Sequence, residues 1–202
     1  RRQTLHRLPG LNTAAVWSPD MKKIALVLSR DQNSEVYTLD EKRRLKRLTR
    51  HFNIDTSPTW SPDGKQIAFT SDRSGTAAPQ IYIMDANEGD KSKVKRISFG
   101  SSYNDNPAWS PNGDQIAYTA RVGRQFKIKI YDLNTQKSHV VTTASGSCEQ
   151  PSWSPDGRFL IYRKKENNRH NLFIQRVGSD ETRQLTFSGR GNSPAWSSYF
   201  KH

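Results

Sequence analysis

The segment Ser57-Pro58-Thr59-Trp60-Ser61-Pro62-Asp63-Gly64 decides the fold, because close copies of it recur along the chain. The copies lie at 13–20, 106–113, 150–157 and 193–197. Each copy holds one tryptophan, and Trp17, Trp60, Trp109, Trp153 and Trp196 follow one another at separations of 43, 49, 44 and 43 residues. This spacing is the period of a four-stranded propeller blade.

Each repeat contains signals for four short strands. The tryptophan ends the first strand, and Ser-Pro-Asp-Gly supplies a tight turn, because proline restricts φ and glycine accepts a positive φ. Within the second repeat, three further apolar runs follow at 65–70, 80–85 and 95–99. These runs are rich in β-branched and aromatic residues and show no sustained helical period. The sequence therefore predicts an all-β chain, a β-propeller of four-stranded, WD-like blades.

The repeats divide the chain into four complete blades with a part-blade at each terminus. The complete blades are predicted at about 13–53, 56–104, 105–148 and 149–192. Residues 1–10 read as the last strand of a preceding blade, centred on Leu5–Pro9, and 193–202 as the first strand of a closing blade. These terminal pieces lack the middle strands of a blade, so we expect part of a longer propeller. A closed four-bladed ring is the alternative.

Composition excludes several classes of protein. No run of eighteen apolar residues is present to cross a membrane. Cys148 is the only cysteine, so no intrachain disulfide can form, and no Cys/His spacing resembles a zinc site. We find no Gly-x-Ser-x-Gly, His-Glu-x-x-His or phosphate-cradling glycine motif, and the five histidines share no register. The sequence therefore favours a protein without catalytic residues.

The chain is strongly basic. Its 32 lysines and arginines exceed its 19 aspartates and glutamates, so the formal net charge is +13. Clusters at 42–47 and 163–165 fall on or beside predicted outer strands, where charge protects an exposed edge from pairing with another chain. Binding of a polyanion is the alternative interpretation of this charge.

The loops that precede the first strands are the candidate binding surface. In a propeller these strands surround a central channel, so the loops ring one of its mouths, and loops on a rigid scaffold commonly carry recognition. The predicted partner-binding residues are Leu11, Asn12, Ala14, Asp55, Thr56, Ser57, Asp105, Asn106, Glu149, Gln150, Asn192 and Ser193.

Two residue sets within the repeat have competing interpretations. Asp105 and Glu149 occupy matching positions, with Thr56 and Asn192 in register, and could form a polar ring for a partner backbone or for calcium, which favours oxygen ligands. Capping of turns by the Asp and Asn side chains is the alternative. The five tryptophans are interpreted as structural wedges between blades rather than as ligand-stacking platforms.

The motif Trp-Ser-Pro-Asp-Gly-Lys-x-Ile-Ala-Phe, followed by Gln-Ile-Tyr-x-Met-Asp, resembles the C-terminal propeller of the TolB family. The segment 193–200, Ser-Pro-Ala-Trp-Ser-Ser-Tyr-Phe, is similar to the aromatic finish of that family, with Ser198 in place of the usual proline. The resemblance implies a six-bladed propeller behind an N-terminal α/β domain, and neither that domain nor the first blades lie within these residues. The large positive charge is not a family hallmark.

The resemblance also implies a function. TolB proteins belong to the periplasmic Tol-Pal system of Gram-negative bacteria, which serves the cell envelope, cell division and protein transport. Their propeller receives the peptidoglycan-associated lipoprotein Pal at the channel mouth, colicin segments can compete there, and other Tol proteins engage the N-terminal domain. We therefore expect a non-enzymatic periplasmic scaffold. The alternatives are the substrate-gating propeller of a prolyl-oligopeptidase-like serine peptidase and a polyanion-binding module.

Overall fold

The computed structural model describes residues 10–75, 78–143 and 145–196, and these form four separate four-stranded antiparallel sheets. In each sheet the strands lie side by side in chain order, which confirms the prediction of four-stranded blades. The predicted strand at Leu5–Pro9 and the residues after Trp196 lie outside the described residues. The described residues 193–196 of the predicted closing strand are not assigned to a strand.

The sheets, named here as blades, fall into two compact units, Arg1–Ile97 (unit 1) and Ser98–His202 (unit 2). Unit 1 holds blades 1 and 2. Blade 1 contains β1 (Asn12–Trp17), β2 (Lys23–Leu28), β3 (Glu35–Asp40) and β4 (Leu45–Arg47). Blade 2 contains β5 (Asp55–Trp60), β6 (Gln66–Ser71), β7 (Gln80–Asp85) and β8 (Lys95–Arg96). In unit 2, blade 3 contains β9 (Asn104–Trp109), β10 (Gln115–Val122), β11 (Gln125–Asp132) and β12 (Lys137–Val140), and blade 4 contains β13 (Ser147–Trp153), β14 (Phe159–Glu166), β15 (Arg169–Arg176) and β16 (Thr182–Gln184).

The Ser-Pro-Asp-Gly turn closes through its own side chains. In blade 2 the Ser61 hydroxyl donates to Asp63 at 2.6 Å, and its oxygen accepts the backbone N–H of Gln66 at 2.9 Å. The hydroxyl lowers the pKa of Asp63, so the carboxylate stays ionised. Gly64 adopts a φ of 71°, whereas blade 1 places Met21 at this turn with a φ of 60°. A methionine therefore occupies a backbone conformation that glycine adopts with less strain.

Each unit has its own apolar core between its two blades. In blade 2 the middle strands are buried on both faces, as the continuous burial of β6 from Ile67 to Ser71 shows. In unit 1 the core joins Ala25, Val36 and Leu48 of the blade 1 region to Trp60, Ile67, Phe69, Tyr82 and Met84 of blade 2. In unit 2 it joins Ala117, Ile128, Ile130 and Val141 to Cys148, Trp153, Leu160 and Tyr162. Burial of these side chains is the main stabilising term within each unit.

Indole hydrogen bonds connect the two blades of a unit. The Trp60 Nε1–H donates to the carbonyl oxygen of Val16 at 3.2 Å, and Trp153 donates to Ala108 at 2.9 Å. Each acceptor is the residue immediately before the tryptophan of the preceding blade. Trp196 repeats this contact, because its Nε1–H donates to the carbonyl oxygen of Ser152 in blade 4 at 3.1 Å.

The tryptophans differ in how deeply they lie. Trp60, Trp109 and Trp153 are buried, as the structural interpretation predicts. Trp109 nevertheless donates within its own blade, to the carbonyl of Gly113 at 3.2 Å. Trp17 is 49% exposed and Trp196 is 37% exposed, so neither is enclosed by the described residues in the way a buried wedge would be.

Candidate partner-binding loops

A bulge lies at the same place in the first strand of every blade. The pairing of β5 with β6 is regular up to Thr56 and resumes only at Thr59, and the first strands of the other three blades show the same shift. The residue after the last regular pair has a positive φ each time, namely Ala14 (52°), Ser57 (51°), Asn106 (52°) and Gln150 (57°), and Ser193 (47°) matches them in sequence register. Bulges redirect side chains and are frequent beside functional sites, and a left-handed non-glycine residue persists only where its surroundings hold it.

The bulge places two of the predicted positions in different environments. The residue five positions before the tryptophan is fully buried in three blades, as Asp55, Asn104 and Cys148 show. The next residue, represented by Asp105 and Glu149, is only partly buried. Side chains at the first position therefore lie in the interior of the blade, whereas side chains at the second position lie at its edge.

The predicted segment of blade 1, at the start of β1, is exposed. Leu11, Asn12 and Ala14 are exposed, and Leu11 is 54% exposed despite its apolar side chain. The Leu11 backbone N–H donates to the Ser29 hydroxyl at 2.8 Å, which connects this loop to the end of β2.

Asp55, at the start of blade 2, lies in a buried ionic cluster. Its Oδ2 accepts a hydrogen bond from Arg73 at 2.8 Å, and the Arg73 guanidinium lies over the rings of Phe69 and Tyr82 at 5.0 and 5.5 Å. Burial raises the pKa of Asp55 to about 6, although the charge of Arg73 acts to lower it. The neighbouring predicted residues Thr56 and Ser57 are partly exposed. The Asp55 side chain is therefore part of the interior and not of the surface that a partner can reach.

A second buried carboxylate, Glu35, belongs to the same unit. It pairs with Arg47 Nη2 at 2.8 Å and accepts a short hydrogen bond from the Thr49 hydroxyl, which itself accepts the backbone N–H of Val36 at 2.9 Å. The charge of Glu35 also acts to raise the pKa of Asp55. Sequence reasoning did not single out this cluster, because its members are dispersed between positions 35 and 73 and belong to both blades.

In unit 2 the structure brings predicted residues together around Tyr103. The Tyr103 hydroxyl donates to Asp105 Oδ2 at 3.2 Å, and the Asn106 backbone N–H donates to Asp105 Oδ1 at 2.6 Å. Burial raises the pKa of Tyr103 to about 12, with contributions from the nearby charges of Asp105 and Glu149. Two acidic groups from blades 3 and 4 thus influence one phenol.

Arg163 joins the other predicted residues of unit 2. Its guanidinium forms a close ion pair with Glu149 through Nη2, and its Nη1 donates to Asn192 Oδ1 at 3.2 Å. Gln150 Oε1 accepts the backbone N–H of Ser193 at 3.2 Å. Sequence reasoning missed two members of this site. Arg163 lies on β14, outside the segments considered, and Tyr103 directly precedes β9 but has no aromatic counterpart in the other blades.

The geometry gives no support to a calcium site at Asp105 and Glu149. Within the described ranges there is no group of three or more His, Cys, Asp or Glu side chains placed to hold a metal ion. In addition, the Arg163 guanidinium already compensates the Glu149 carboxylate.

Exposed aromatic side chains lie on the same connecting loops. Phe52 precedes β5 and is 88% exposed, Phe99 precedes β9 and is 59% exposed, and Phe187 follows β16 and is 78% exposed. Exposed aromatic residues beside polar groups are typical of protein-binding surfaces. Sequence reasoning missed Phe99 as a loop residue because it placed 95–99 in a strand, whereas β8 ends at Arg96.

These observations define a propeller-blade protein whose candidate site is formed by loops carried on rigid sheets, and comparison with known proteins places it further. The family model of the TolB beta propeller domain matches residues 1–200, so the chain belongs to that family. The described part of the chain contains no helix that is long and apolar enough to cross a membrane.

Solved structures agree with this family. The chain is 35% identical to TolB from Acinetobacter baumannii over 98% of its own length, with a TM-score of 0.85, and spans 49% of that protein. A structure described as a TolB from Agrobacterium tumefaciens is 24% identical over 92% of the chain, which spans 65% of it, with a TM-score of 0.78. A puromycin hydrolase is 14% identical over 86% of the chain, which spans 28% of it, with a TM-score of 0.67. At that identity the hydrolase shows a shared fold alone.

Proposed function

We propose that this chain is a non-enzymatic, protein-binding propeller of the Tol-Pal system, which acts in the periplasm of a Gram-negative bacterium. It binds a Pal-like peptidoglycan-associated lipoprotein through the loops that precede the first strands of its blades. Colicin segments compete for the same loops, and other Tol proteins engage an N-terminal domain of the TolB type. Membership of the TolB propeller family supports this proposal.

The cluster in unit 2 is the observation that carries the proposal. Asp105 and Glu149 lie near the starts of β9 and β13, Asn192 lies on the segment after β16, and their side chains are held by Tyr103 and Arg163. Held side chains lose little conformational entropy when a partner binds, so polar groups positioned in this way favour specific recognition. Their carboxylate and amide oxygens can accept backbone N–H groups of a partner.

Each unit also has an exposed aromatic residue on a loop after the last strand of a blade, and it can provide apolar contacts. Phe187 in unit 2 and Phe52 in unit 1 are among the most exposed large apolar side chains of the described residues. Buried aromatic anchors surrounded by polar groups commonly dominate the affinity of protein interfaces. We therefore assign them the apolar contacts with the lipoprotein.

The peptidase alternative has weaker support. Its relatives are similar at 14% to 16% identity, a level that shows the fold alone, and the chain spans only 18% to 28% of those proteins. A non-enzymatic role therefore agrees better with the family match and with the identity to TolB.

Calorimetric titration of a soluble Pal domain into the protein tests the proposal. We expect saturable binding that Asp105→Asn weakens about tenfold, because it removes a charged acceptor while preserving shape. Glu181→Gln is the matched control, since it removes one negative charge from the exposed turn before β16, at the other end of the blade. Absence of binding by folded protein, or equal weakening by both variants, would contradict the proposed site.

A further inference from the structure

A cavity of about 240 Å³ lies in unit 1 at the opposite end of blade 1 from the Leu11 loop. It is formed by the edge of blade 1 and by the segment that follows β7 of blade 2. The residues that line it are Lys23, Thr38, Asp40, Arg44, Lys46, Ala86 and Asn87. Its size suits a small ligand rather than a drug-sized one.

The strand register collects the charged residues on one face of blade 1. Lys23 of β2 pairs with Asp40 of β3, and Thr38 of β3 pairs with Lys46 of β4. Paired residues share a face of the sheet, and so do residues two positions apart on one strand. The two lysines and Asp40 therefore project to the same side, towards blade 2.

One of the three cations is neutralised within the cavity. Arg44 Nε lies 2.6 Å from Asp40 Oδ2, and the Arg44 backbone N–H donates to Asp40 Oδ1 at 2.8 Å. That backbone hydrogen bond lowers the pKa of Asp40, so the carboxylate stays charged and balances the guanidinium.

The two lysines have no such balance. Lys23 Nζ donates to Asn87 Oδ1 at 3.0 Å, and Lys46 Nζ donates to the Asn87 carbonyl oxygen at 2.5 Å. Among the residues that the structure describes, no carboxylate lies within 4.0 Å of either ammonium group. Both ammonium groups thus contact the same neutral residue. They repel each other, and a bound anion would stabilise them.

We propose that this cavity binds a phosphate group. Each ammonium group has three donors, and the contact with Asn87 uses one, so both can donate to the oxygens of one phosphate. Lysine binds phosphate as a compact point charge. The basic segment 42–47 adds a positive field around the cavity that attracts anions. The phosphate can belong to a free anion or to a lipid headgroup.

The lysine pair is particular to blade 1. The strand register aligns Lys23 with Gln66, Gln115 and Phe159 of the other blades, and Lys46 with Lys95, His139 and Arg183. Only blade 1 has lysine at both positions. Protection of sheet edges, which every blade needs, does not account for a pair found in one blade.

Titration of inorganic phosphate, followed by calorimetry at low salt, tests the proposal. The double variant Lys23→Gln with Lys46→Gln removes both ammonium groups from the cavity. Lys93→Gln with Lys95→Gln is the matched control, because it removes two exposed positive charges from blade 2 of the same unit. A flotation assay with phosphatidylcholine vesicles, with and without phosphatidylglycerol, provides the lipid arm.

We expect the cavity variant to bind roughly tenfold more weakly or worse, since two charge-assisted hydrogen bonds are lost, and the control to bind like the wild type. Saturable binding of free phosphate identifies a free anion as a sufficient ligand. Binding only to vesicles that contain phosphatidylglycerol, with the same dependence on the two lysines, identifies a lipid phosphate. Failure to bind either, or equal weakening in both variants, overturns the proposal.

Discussion

The buried Asp55 carboxyl makes the stability of unit 1 depend on pH in an unusual direction. Asp55 is fully buried beside Arg73, and its pKa lies near 6 rather than at the ordinary value of 3.8. A group whose pKa is raised by folding stabilises the folded state fully below its unfolded pKa. That stabilisation is lost as the pH rises through about 6. The difference of about two pH units corresponds to about 3 kcal/mol.

The variant Asp55→Asn measures this contribution. Asparagine resembles the protonated carboxyl, so its own effect on stability does not change with pH. Between pH 4 and pH 7 we expect the free energy of unfolding of the variant to improve by about 3 kcal/mol relative to the wild type. Urea denaturation followed by tryptophan fluorescence, at several pH values across this window, gives both free energies.

A matched control and a direct measurement complete the test. Asp63→Asn also removes an acidic group from blade 2, but folding lowers the pKa of Asp63 below the ordinary value of 3.8. The stability of this variant relative to the wild type should therefore stay nearly constant from about pH 5 to pH 7 and rise only as the pH falls below about 4. A carbon NMR titration of the Asp55 carboxyl should show a midpoint near 6, because burial raises the pKa of this group. Parallel stability profiles for wild type and Asp55→Asn from pH 4 to pH 7 would refute the reasoning.

Three further predictions concern single contacts. Trp153→Phe removes the indole donor to the neighbouring blade and should lower the free energy of unfolding by about 1 kcal/mol or more. Trp17→Phe, at a half-exposed position, should change it by roughly 0.5 kcal/mol or less. Equal losses of the two variants in urea denaturation would contradict a stabilising role of the indole hydrogen bond. Met21→Gly should raise the free energy of unfolding by about 1 kcal/mol because glycine adopts a positive φ with less strain, and Gly64→Ala should lower it by about the same amount. If the melting temperatures of the two variants do not shift in opposite directions, the backbone at this turn is not strained. Phe187→Ala should weaken binding of a Pal domain roughly tenfold without changing stability, and unchanged affinity in calorimetry would remove Phe187 from the interface.

The repeat was readable from the sequence because its signals are local. A tryptophan, a Ser-Pro-Asp-Gly turn and an apolar strand appear in one short stretch, and each reports on the conformation of its own residues. The four blades of the structure follow from these signals. The bulge was not readable, because Ala14, Ser57, Asn106 and Gln150 share a left-handed backbone but no side-chain chemistry.

The candidate site was predicted in part for a related reason. The candidate segments were predicted as loops before the first strands, whereas Asp55, Asp105 and Glu149 lie within β5, β9 and β13. The sequence also does not show which residue of each segment faces inwards. Asp55 and Asp105 look equivalent as acidic residues before a blade proline. They differ by one position relative to the bulge, and that single step makes one fully buried and the other partly exposed. Whether these loops bind a partner is a prediction that the titration above tests.

The indole bonds between blades have a consequence for how the chain is synthesised. Trp60 and Trp153 each reach back to a carbonyl 44 or 45 residues earlier, a distance of one blade. The ribosome therefore releases the acceptor before the donor, and each attachment needs only a blade that has already left the exit tunnel. Such nearest-neighbour contacts allow the two blades of a unit to associate during translation, in the order of synthesis, without waiting for the end of the chain.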